Sequence, residues 1–312
     1  MRYLVTGAAG FIGSHLVEAL SARGDDVTAI DLFTDYYDPA LKELNARTFE
    51  VLRIDLAEAP LSELVAASDG VFHLAAQPGV RASWGDDFSR YLRDNVLASQ
   101  RLFEAAAQTG RRVVFASSSS IYGDAESYPT PEETVPRPIS PYGVSKLACE
   151  HLARAYAGGA GLDAVALRYF TVFGPRQRPD MFFTRLLRAL ALGDEVEVYG
   201  DGSQSRSFTF VADAVAATLL AMATGKSGAV FNVGGGVEAS VNETIELAEH
   251  ISGRKLALRY RDPAAGDVKR TAPDTARIEL ELGWQAHASL EEGLRKQWEW
   301  VSEQLLPSSG IA

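Results

Sequence analysis

Short apolar runs alternate with segments of helical periodicity along the first half of the chain. The runs are continuous and rich in β-branched residues, which is typical of parallel strands that are buried on both faces. Strands are predicted at 3–5, 27–30, 51–54, 71–74, 113–116 and 164–167. Helices are predicted between them at 11–21, 61–67, 91–108 and 142–157. This alternation predicts a doubly wound parallel α/β sheet.

The pattern changes after Gly174, where loops rich in Gly, Pro and Arg join shorter elements. A helix at 211–223 and a strand at 230–232 are predicted to return to the sheet, and further helices are predicted at 241–251, 275–282 and 290–305. We therefore expect two domains. The larger one covers 1–173 and is completed by 207–234, and a smaller α/β domain covers 174–206 and 235–312.

The composition excludes several classes of protein. The 312 residues carry a net charge of −11 without a basic run, which argues against nucleic-acid binding. A single cysteine, Cys149, excludes an internal disulfide and a multi-cysteine metal site, and no metal ion is expected. No apolar stretch approaches the roughly 18 residues of a membrane-spanning helix. We expect a cytoplasmic protein that does not bind a membrane.

Three glycines connect the first predicted strand to the first predicted helix. Gly7, Gly10 and Gly13 follow one another at intervals of three, with Phe11 and Ile12 opening the helix. Such a turn lets the backbone approach a pyrophosphate, and the N-terminus of the helix stabilises the negative charge. The segment therefore predicts a dinucleotide-binding loop.

Asp31 ends the second predicted strand, 18 residues after Gly13, where an acidic residue binds the diol of an adenosine ribose. No arginine follows directly, so a 2′-phosphate would face an uncompensated carboxylate. This predicts NAD over NADP, and the alternative is that Asp31 is a turn or capping residue. Asp55, after the third strand, is placed to reach the adenine edge, and small residues at 74–76 leave space under the cofactor.

Tyr142 and Lys146 are four residues apart on a predicted helix, so both project from one face. The ammonium group and an oxidised nicotinamide would together stabilise the phenolate that a general base requires. The spacing alone is common, and the plain interpretation is a helix with an exposed Tyr and Lys. The glycine turn and the serine run at 117–120 favour chemistry instead, although each serine alone could be a polar exit from its strand.

The chain resembles the extended short-chain dehydrogenase/reductase family, and within it the nucleotide-sugar epimerases and dehydratases. The matching segments are 6–13, Asp31, Asp55, 73–76, 117–123, 140–146, 167–174, 198–210 and 266–268. The resemblance implies an N-terminal Rossmann domain that binds NAD and a C-terminal part that binds a nucleoside-diphosphate sugar. It also implies a homodimer.

One departure from the family pattern concerns the reaction. Dehydratases show Asp-Glu at the positions that hold Ser119 and Ser120 here, and uronate decarboxylases show a Glu at the second of them. Without that acid there is no obvious group to move the proton at sugar C5, which favours simple 4-epimerisation. The resemblance then implies that Ser118 is the hydroxyl partner of Tyr142.

A second departure concerns the sugar. Many glucose/galactose epimerases carry Asn at the position of Thr171, whereas Thr171, the Arg-Pro-Asp-Met run at 178–181 and the loop at 77–84 resemble UDP-glucuronate 4-epimerases. An arginine can pair bidentately with a sugar carboxylate, and a threonine hydroxyl can add a hydrogen bond. The alternative is that Arg176 and Arg178 are merely solvated loop charges.

One departure affects the diphosphate. Ala264 stands where many relatives carry an arginine that grips the pyrophosphate. Arg206, Arg261 or Lys269 is expected to substitute for it.

The favoured function is NAD-dependent 4-epimerisation of a UDP-sugar, UDP-glucuronate to UDP-galacturonate, by transient oxidation at C4. In this interpretation Tyr142 takes the 4-hydroxyl proton, Lys146 supports the phenolate and holds the nicotinamide ribose, and Ser118 hydrogen-bonds the 4-oxygen. The alternatives are a UDP-glucose or UDP-N-acetylhexosamine 4-epimerase and, in another class, a non-catalytic NAD-binding sensor.

The predicted contacts follow from the motifs and the resemblance. Those to NAD are Gly7, Gly10, Phe11, Ile12, Gly13, Asp31, Asp55, Leu56, Leu74, Ala75, Ala76, Asn95, Ser117, Tyr142, Lys146 and Tyr169. Those to the substrate are Pro78, Gly79, Arg81, Ser118, Ser119, Ser120, Thr171, Arg178, Met181, Tyr199, Gln204, Arg206 and Asp267.

Overall fold

The computed structural model describes residues 1–235, 237–262 and 268–306. The strands are β1 (Arg2–Thr6), β2 (Asp26–Asp31), β3 (Leu52–Arg53), β4 (Gly70–His73), β5 (Arg112–Ser118), β6 (Ala164–Tyr169), β7 (Val172–Phe173), β8 (Glu195–Tyr199), β9 (Ser205–Phe210), β10 (Val230–Val233), β11 (Val237–Ser240), β12 (Ala257–Arg261) and β13 (Arg270–Thr271). The helices are α1 (Phe11–Ala22), α2 (Pro39–Asn45), α3 (Ser62–Ala66), α4 (Phe88–Tyr91), α5 (Ala98–Thr109), α6 (Pro141–Ala160), α7 (Phe182–Leu192), α8 (Val211–Thr224), α9 (Val241–Ser252), α10 (Ala276–Leu282) and α11 (Leu290–Leu305).

A seven-stranded sheet forms the centre of the molecule, in the order β10-β6-β5-β4-β1-β2-β3. Every pairing in it is parallel. β4 and β6 are buried along their whole length, as their continuous apolar sequences require. The doubly wound α/β fold predicted from the alternating pattern is thereby confirmed.

The chain leaves β1 in one direction to form β2 and β3 and in the other to form β4, β5 and β6. A crevice is expected outside the carboxyl ends of the strands where the order reverses, between β1 and β4. Thr6 at the end of β1 is level with His73 at the end of β4. The loops that follow these two strands therefore open on the same side of the sheet.

α6 is the longest helix among the described residues and crosses the carboxyl end of β5. The Ser140 side chain caps its N-terminus by accepting a hydrogen bond of 3.1 Å from the Gly143 amide, and Pro141 occupies its first turn. The segment predicted as one helix at 91–108 is instead the short helix α4, a π-helical turn at Leu92–Leu97 and α5.

The C-terminal part contains more regular structure than the sequence analysis predicts. β9 pairs with β7, β11 and β13 in one small sheet, and β8 pairs with β12 in another. α7 was not predicted, although Phe183, Leu186, Leu187 and Leu190 follow the spacing of a buried helical face and are all buried. The aromatic rings of Phe173, Phe183 and Phe208 pack together with centroids 4.8–6.2 Å apart, which fixes α7 against β7 and β9.

No helix within the described residues is long and apolar enough to cross a membrane.

Candidate active site

A cavity of about 700 Å³ lies at the carboxyl ends of the central strands. It is lined by the glycine turn after β1, the ends of β2, β4, β5 and β6, one face of α6, and residues of β8 and β9. The predicted contact residues lie in its wall with two exceptions. Asn95 is buried behind the wall, and Asp267 lies outside the described residues.

The glycine turn fits a pyrophosphate. Gly7 has a φ of +70°, and a Cβ atom there would lie 2.7 Å from the Ala75 amide nitrogen. A Cβ atom on Gly13 would lie 2.1 Å from the Gly7 carbonyl oxygen, so the helix could not approach the turn this closely with any other residue. Gly10 begins α1 without a side-chain cap, which leaves amide groups of the first turn to bind an anion.

Asp31 is buried at the end of β2 and is not an isolated carboxylate. Its Oδ2 accepts a hydrogen bond from the Ala9 amide at 3.2 Å, and its Oδ1 accepts one from the Phe33 amide at 2.8 Å. Lys42 of α2 places its Nζ 3.0 Å from Oδ1. The prediction that Asp31 lacks a compensating cation is therefore wrong, because the cation comes from a helix that the sequence analysis did not predict.

Asn95 positions the wall of the cavity. Its Oδ1 accepts from the Gln77 amide at 2.6 Å, and its Nδ2 donates to the Gln77 carbonyl at 3.1 Å and to Ser145 Oγ at 3.0 Å. These bonds join the loop after β4 to α6. The side-chain polar atoms of Asn95 are thus engaged within the protein, and its predicted contact with the cofactor remains a prediction.

Tyr142 and Lys146 both line the cavity, as their helical spacing predicts. Lys146 is buried, donates to the Ala116 carbonyl at 2.9 Å, and has its Nζ 6.0 Å from the centre of the Tyr142 ring. Tyr91 packs edge-on against Tyr142 at 6.2 Å between centroids. The hydroxyl of Tyr91 donates to the carbonyls of Pro78 and Gly79 at 2.8 Å, which fixes the loop beside the phenol.

The serines at the end of β5 have different partners. Ser118 Oγ accepts a hydrogen bond from the Ser120 amide at 3.1 Å. The oxygen of this hydroxyl therefore stabilises the turn at 119–121, and its hydrogen is not used in that bond. Ser117 donates to Glu150, which lies one helical turn beyond Lys146. The hydroxyl of Ser117 is thus engaged within the protein, and its predicted contact with the cofactor remains a prediction.

Glu150 and Arg168 form a buried pair behind this wall that the sequence analysis did not identify. The guanidinium group meets both carboxylate oxygens, with Nε–Oε1 3.0 Å and Nη2–Oε2 2.7 Å. Arg168 also donates to the Tyr122 hydroxyl at 2.7 Å and to the Glu132 carbonyl at 2.9 Å. The pair ties α6 to β6 and, through Ser117, to the end of β5, so it fixes the elements that carry Tyr142 and Ser118.

Arg178 lies in the wall of the cavity and is 21% exposed. Its Nε and Nη2 both lie 3.0 Å from the two carboxylate oxygens of Asp180. The Tyr36 hydroxyl donates to the same carboxylate at 3.2 Å. Burial opposes the charged form of Arg178, but Asp180 and, after it, Tyr36 and Tyr142 hold its pKa above the ordinary value. Arg178 is therefore a paired side chain in the wall that also contains Tyr142, and not a solvated loop charge.

Arg176, by contrast, pairs with Glu18 of α1 at 2.8 Å. This contact fixes the loop that carries Arg178.

Further polar groups line the end of the cavity beside β8 and β9. The guanidinium group of Arg81 lies 4.1 Å from the centre of the Tyr199 ring, and the Gln204 amide donates to the Tyr199 carbonyl at 2.7 Å. Arg206 lines the cavity and donates to the Val268 carbonyl at 2.6 Å.

Among the predicted substitutes for the diphosphate arginine, Arg261 instead pairs with Glu197 at 2.8 Å. Ala264, on which that prediction rests, lies outside the described residues.

The family assignment follows from comparisons with known proteins. A family model described as the NAD dependent epimerase/dehydratase family matches residues 3–234. The chain belongs to this family. Its fold and its cofactor, NAD, are those that the glycine turn and the Tyr-Lys pair predict.

The relatives include several UDP-sugar epimerases. An uncharacterized UDP-glucose epimerase of Bacillus subtilis is 41% identical, over 97% of this chain and 98% of its own. A UDP-glucuronate 4-epimerase of Thermodesulfobacterium geofontis is 35% identical, over 97% of each chain.

Solved structures agree with these relatives. The UDP-glucuronic acid 4-epimerase of Bacillus cereus in complex with UDP-glucuronic acid and NAD is 38% identical, with a TM-score of 0.94 over 97% of this chain and 100% of that one. MoeE5 in complex with UDP-glucuronic acid and NAD is 47% identical, with a TM-score of 0.89 over 98% of this chain and 100% of that one. MoeE5 has also been solved with UDP-glucose and NAD.

The residues of this family member fit both ends of an NAD molecule. The glycine turn would hold the pyrophosphate, Asp31 the adenosine ribose, and Lys146 the nicotinamide ribose. No group of three His, Cys, Asp or Glu side chains in residues 1–235, 237–262 and 268–306 could hold a metal ion.

Several residues of the wall were missed by sequence reasoning: Tyr36, Tyr37, Lys42, Gln77 and Asp180. Of these, Asp180 belongs to the Arg-Pro-Asp-Met run at 178–181. A carboxylate two residues from an arginine could have predicted an ion pair between Arg178 and Asp180. Lys42 offers no comparable signal, because its relation to Asp31 depends on where α2 folds back.

Proposed function

We propose that the protein catalyses the NAD-dependent 4-epimerisation of a UDP-sugar, converting UDP-glucuronate to UDP-galacturonate. The observation that carries this proposal is that Arg178 and Tyr142 line the same cavity, with the guanidinium group held by the Asp180 carboxylate. A cation in the wall of the cavity that also holds the catalytic phenol suits a substrate with a carboxylate near the reacting carbon. The relatives that act on UDP-glucuronate support the same assignment.

The residues divide the proton chemistry between them. Tyr142 accepts the proton of the sugar 4-hydroxyl and later returns it. Lys146, held by the Ala116 carbonyl, presents its ammonium group to the ring of Tyr142 and stabilises the phenolate. Ser118 hydrogen-bonds the 4-oxygen. NAD, held in this cavity, would supply the hydride chemistry at C4, as the acceptor for the oxidation and the donor for the return to the opposite face of the sugar.

Arg178 and Thr171 hold the uronate carboxylate in this proposal. A 4-keto uronate is a β-keto acid, which loses CO2 readily, so holding the carboxylate in a fixed orientation opposes that loss. The Arg178 guanidinium already has a carboxylate partner in Asp180. A uronate that binds the same Nε–Nη2 edge displaces Asp180 from it, and Asp180 is sufficiently exposed, at 35%, to return to water.

The second candidate is 4-epimerisation of UDP-glucose. The Arg178–Asp180 pair favours it, because a guanidinium group whose charge is already balanced does not require an anionic sugar. The Bacillus subtilis relative and the MoeE5 complex with UDP-glucose point in the same direction.

Product analysis separates the two candidates. The purified protein, supplied with NAD, is incubated with UDP-glucuronate, UDP-glucose and UDP-N-acetylglucosamine separately, and the products are resolved by chromatography and proton NMR. We expect UDP-galacturonate from the first with the highest kcat/KM. A higher kcat/KM for UDP-glucose would replace the proposal by the second candidate, and no turnover of any sugar would contradict both.

We further propose that the nucleotide-sugar is bound by residues of 174–206 and of the segment after 235.

We also propose that two copies of the chain form a dimer through the face made by α5, α6 and the π-helical turn. Leu92, Leu97 and Val144 support this pairing, since these large apolar side chains are 45–48% exposed there. Light scattering would measure the mass of the particle, and a mass of two chains would support the dimer.

A cytoplasmic location is compatible with the buried, unpaired Cys149.

A further inference from the structure

The buried pair of Asp31 and Lys42 lies at the end of the cavity where the adenosine ribose is expected. Asp31 is 6% exposed and Lys42 is 8% exposed, and both line the cavity. Oδ1 of Asp31 has two donors, the Phe33 amide and Lys42, whereas Oδ2 has the Ala9 amide at 3.2 Å. Oδ2 is therefore the oxygen with capacity to accept a hydrogen bond from a ribose hydroxyl.

We propose that Lys42 is a specificity-determining residue: Asp31 disfavours a 2′-phosphate, Lys42 offsets part of this effect, and the balance of the two charges sets how strongly the cavity prefers NAD over NADP. The pair is electrically neutral as a unit. A 2′-phosphate at this place would be repelled by Asp31 and attracted by Lys42, so the two charges oppose each other.

Lys42 can serve a 2′-phosphate once the charge of Asp31 is removed. An ammonium group has three donors, and the hydrogen bonds found within the described residues use Nζ of Lys42 for Asp31. The ring of Tyr37 lies 5.6 Å from Nζ and limits its movement. With a neutral residue at position 31, the cation stays in the cavity without a partner. The protein thus contains a latent site for a 2′-phosphate that Asp31 keeps closed.

The test compares the affinities for NAD and NADP in protein stripped of nucleotide, measured by isothermal titration calorimetry. The variants are Asp31→Asn, Lys42→Met and the double variant. We expect Asp31→Asn to raise the ratio of NADP affinity to NAD affinity by about tenfold or more, because one repulsive charge is lost and one attractive charge stays. We expect Lys42→Met to lower this ratio below that of the wild type. In the double variant, the ratio of NADP affinity to NAD affinity should not show the increase that Asp31→Asn causes alone.

Lys255→Met is the matched control, because Lys255 is 88% exposed, pairs with Glu249 and does not line the cavity. It should leave both affinities unchanged. An unchanged ratio in Asp31→Asn, or the same gain with and without Lys42, would overturn the proposal. If thermal melting shows that Asp31→Asn does not fold, Lys42→Met decides alone: a lower ratio supports the proposal, and an unchanged or higher ratio overturns it. These measurements need no sugar substrate, so they are independent of the proposed reaction.

Discussion

The Lys42–Asp31 pair and the Arg178–Asp180 pair line the same cavity, but they are held differently. The side chains of the first are 10% and 5% exposed, and those of the second are 21% and 35% exposed. Lys42 and Asp31 come from α2 and β2, and two backbone amides also hold the carboxylate. Arg178 and Asp180 are two residues apart in one loop, with the Tyr36 hydroxyl as a third member.

The difference in burial changes how much it costs to remove or replace one partner of each pair. Removing one member of a fully buried pair leaves an uncompensated charge and costs about 3–5 kcal/mol. An exposed pair contributes only about 0–1 kcal/mol, because water replaces either partner. We therefore expect the first pair to stay fixed at the end proposed for the adenosine ribose and the second to exchange its carboxylate for that of a ligand. On this interpretation the two ends of one cavity use the same kind of ion pair, once for permanent and once for reversible recognition.

The largest effect is expected at Tyr142, which lines the same cavity as the two pairs and carries the proton in the proposed reaction. Tyr142→Phe should fold, retain NAD and lose at least about a hundredfold in kcat, since general acid–base catalysis contributes roughly 10²–10⁴. Both sugar substrates should be affected equally, because neither pair is altered. Steady-state kinetics and the absorbance of retained nucleotide measure the two properties.

Tyr156→Phe is the control for that experiment. Tyr156 lies on the same helix, α6, and its hydroxyl donates to Glu104, away from the cavity. It should keep wild-type turnover. Wild-type turnover in Tyr142→Phe would remove the phenol from the mechanism.

The next effect distinguishes the sugars. Arg178→Ala should lower kcat/KM for UDP-glucuronate by about 10- to 150-fold, the value of one charge-assisted contact. UDP-glucose should lose much less, since it has no carboxylate to be held. Arg178→Lys keeps the charge without the bidentate fork, so its kcat/KM for UDP-glucuronate should lie between those of the wild type and Arg178→Ala.

An equal loss for both sugars in Arg178→Ala would assign Arg178 to the fold or to the diphosphate, and the uronate proposal would lose its main support. Release of CO2 with formation of a pentose product by this variant would support the carboxylate-holding role directly.

The sequence predicted those features that depend on spacing within one element. The glycine turn, the Tyr142–Lys146 pair and the serines after β5 are each defined by a few consecutive residues, and the strands of the parallel sheet are recognisable as continuous apolar runs. The site residues chosen on this basis lie in one cavity, apart from Asn95 and the undescribed Asp267.

The pairings between distant residues could not be predicted in the same way. Lys42 meets Asp31 only because α2 folds back over the end of β2, and Arg168 meets Glu150 only because β6 and α6 are neighbours in the fold. Apolar periodicity contains no information on which charges become partners. The unpredicted α7 is a different case, because its apolar spacing was present in the sequence and the Pro- and Arg-rich loop before it obscured the signal.

The smallest expected effect tests whether the second pair is exchangeable. In the proposed reaction, a uronate that binds the Nε–Nη2 edge of Arg178 displaces Asp180, because two carboxylates at this edge would repel each other. Asp180→Asn removes this competitor while it keeps the shape of the side chain and an acceptor for Tyr36. The KM for UDP-glucuronate should therefore fall by up to about fivefold, the upper limit that an exposed pair of about 0.2–1 kcal/mol allows. The KM for UDP-glucose should stay unchanged, and the effect should shrink at high salt. A higher KM for UDP-glucuronate in Asp180→Asn would show that Asp180 orients Arg178 instead of competing for it. The two pairs would then both be permanent, and the distinction drawn from their burial would not hold.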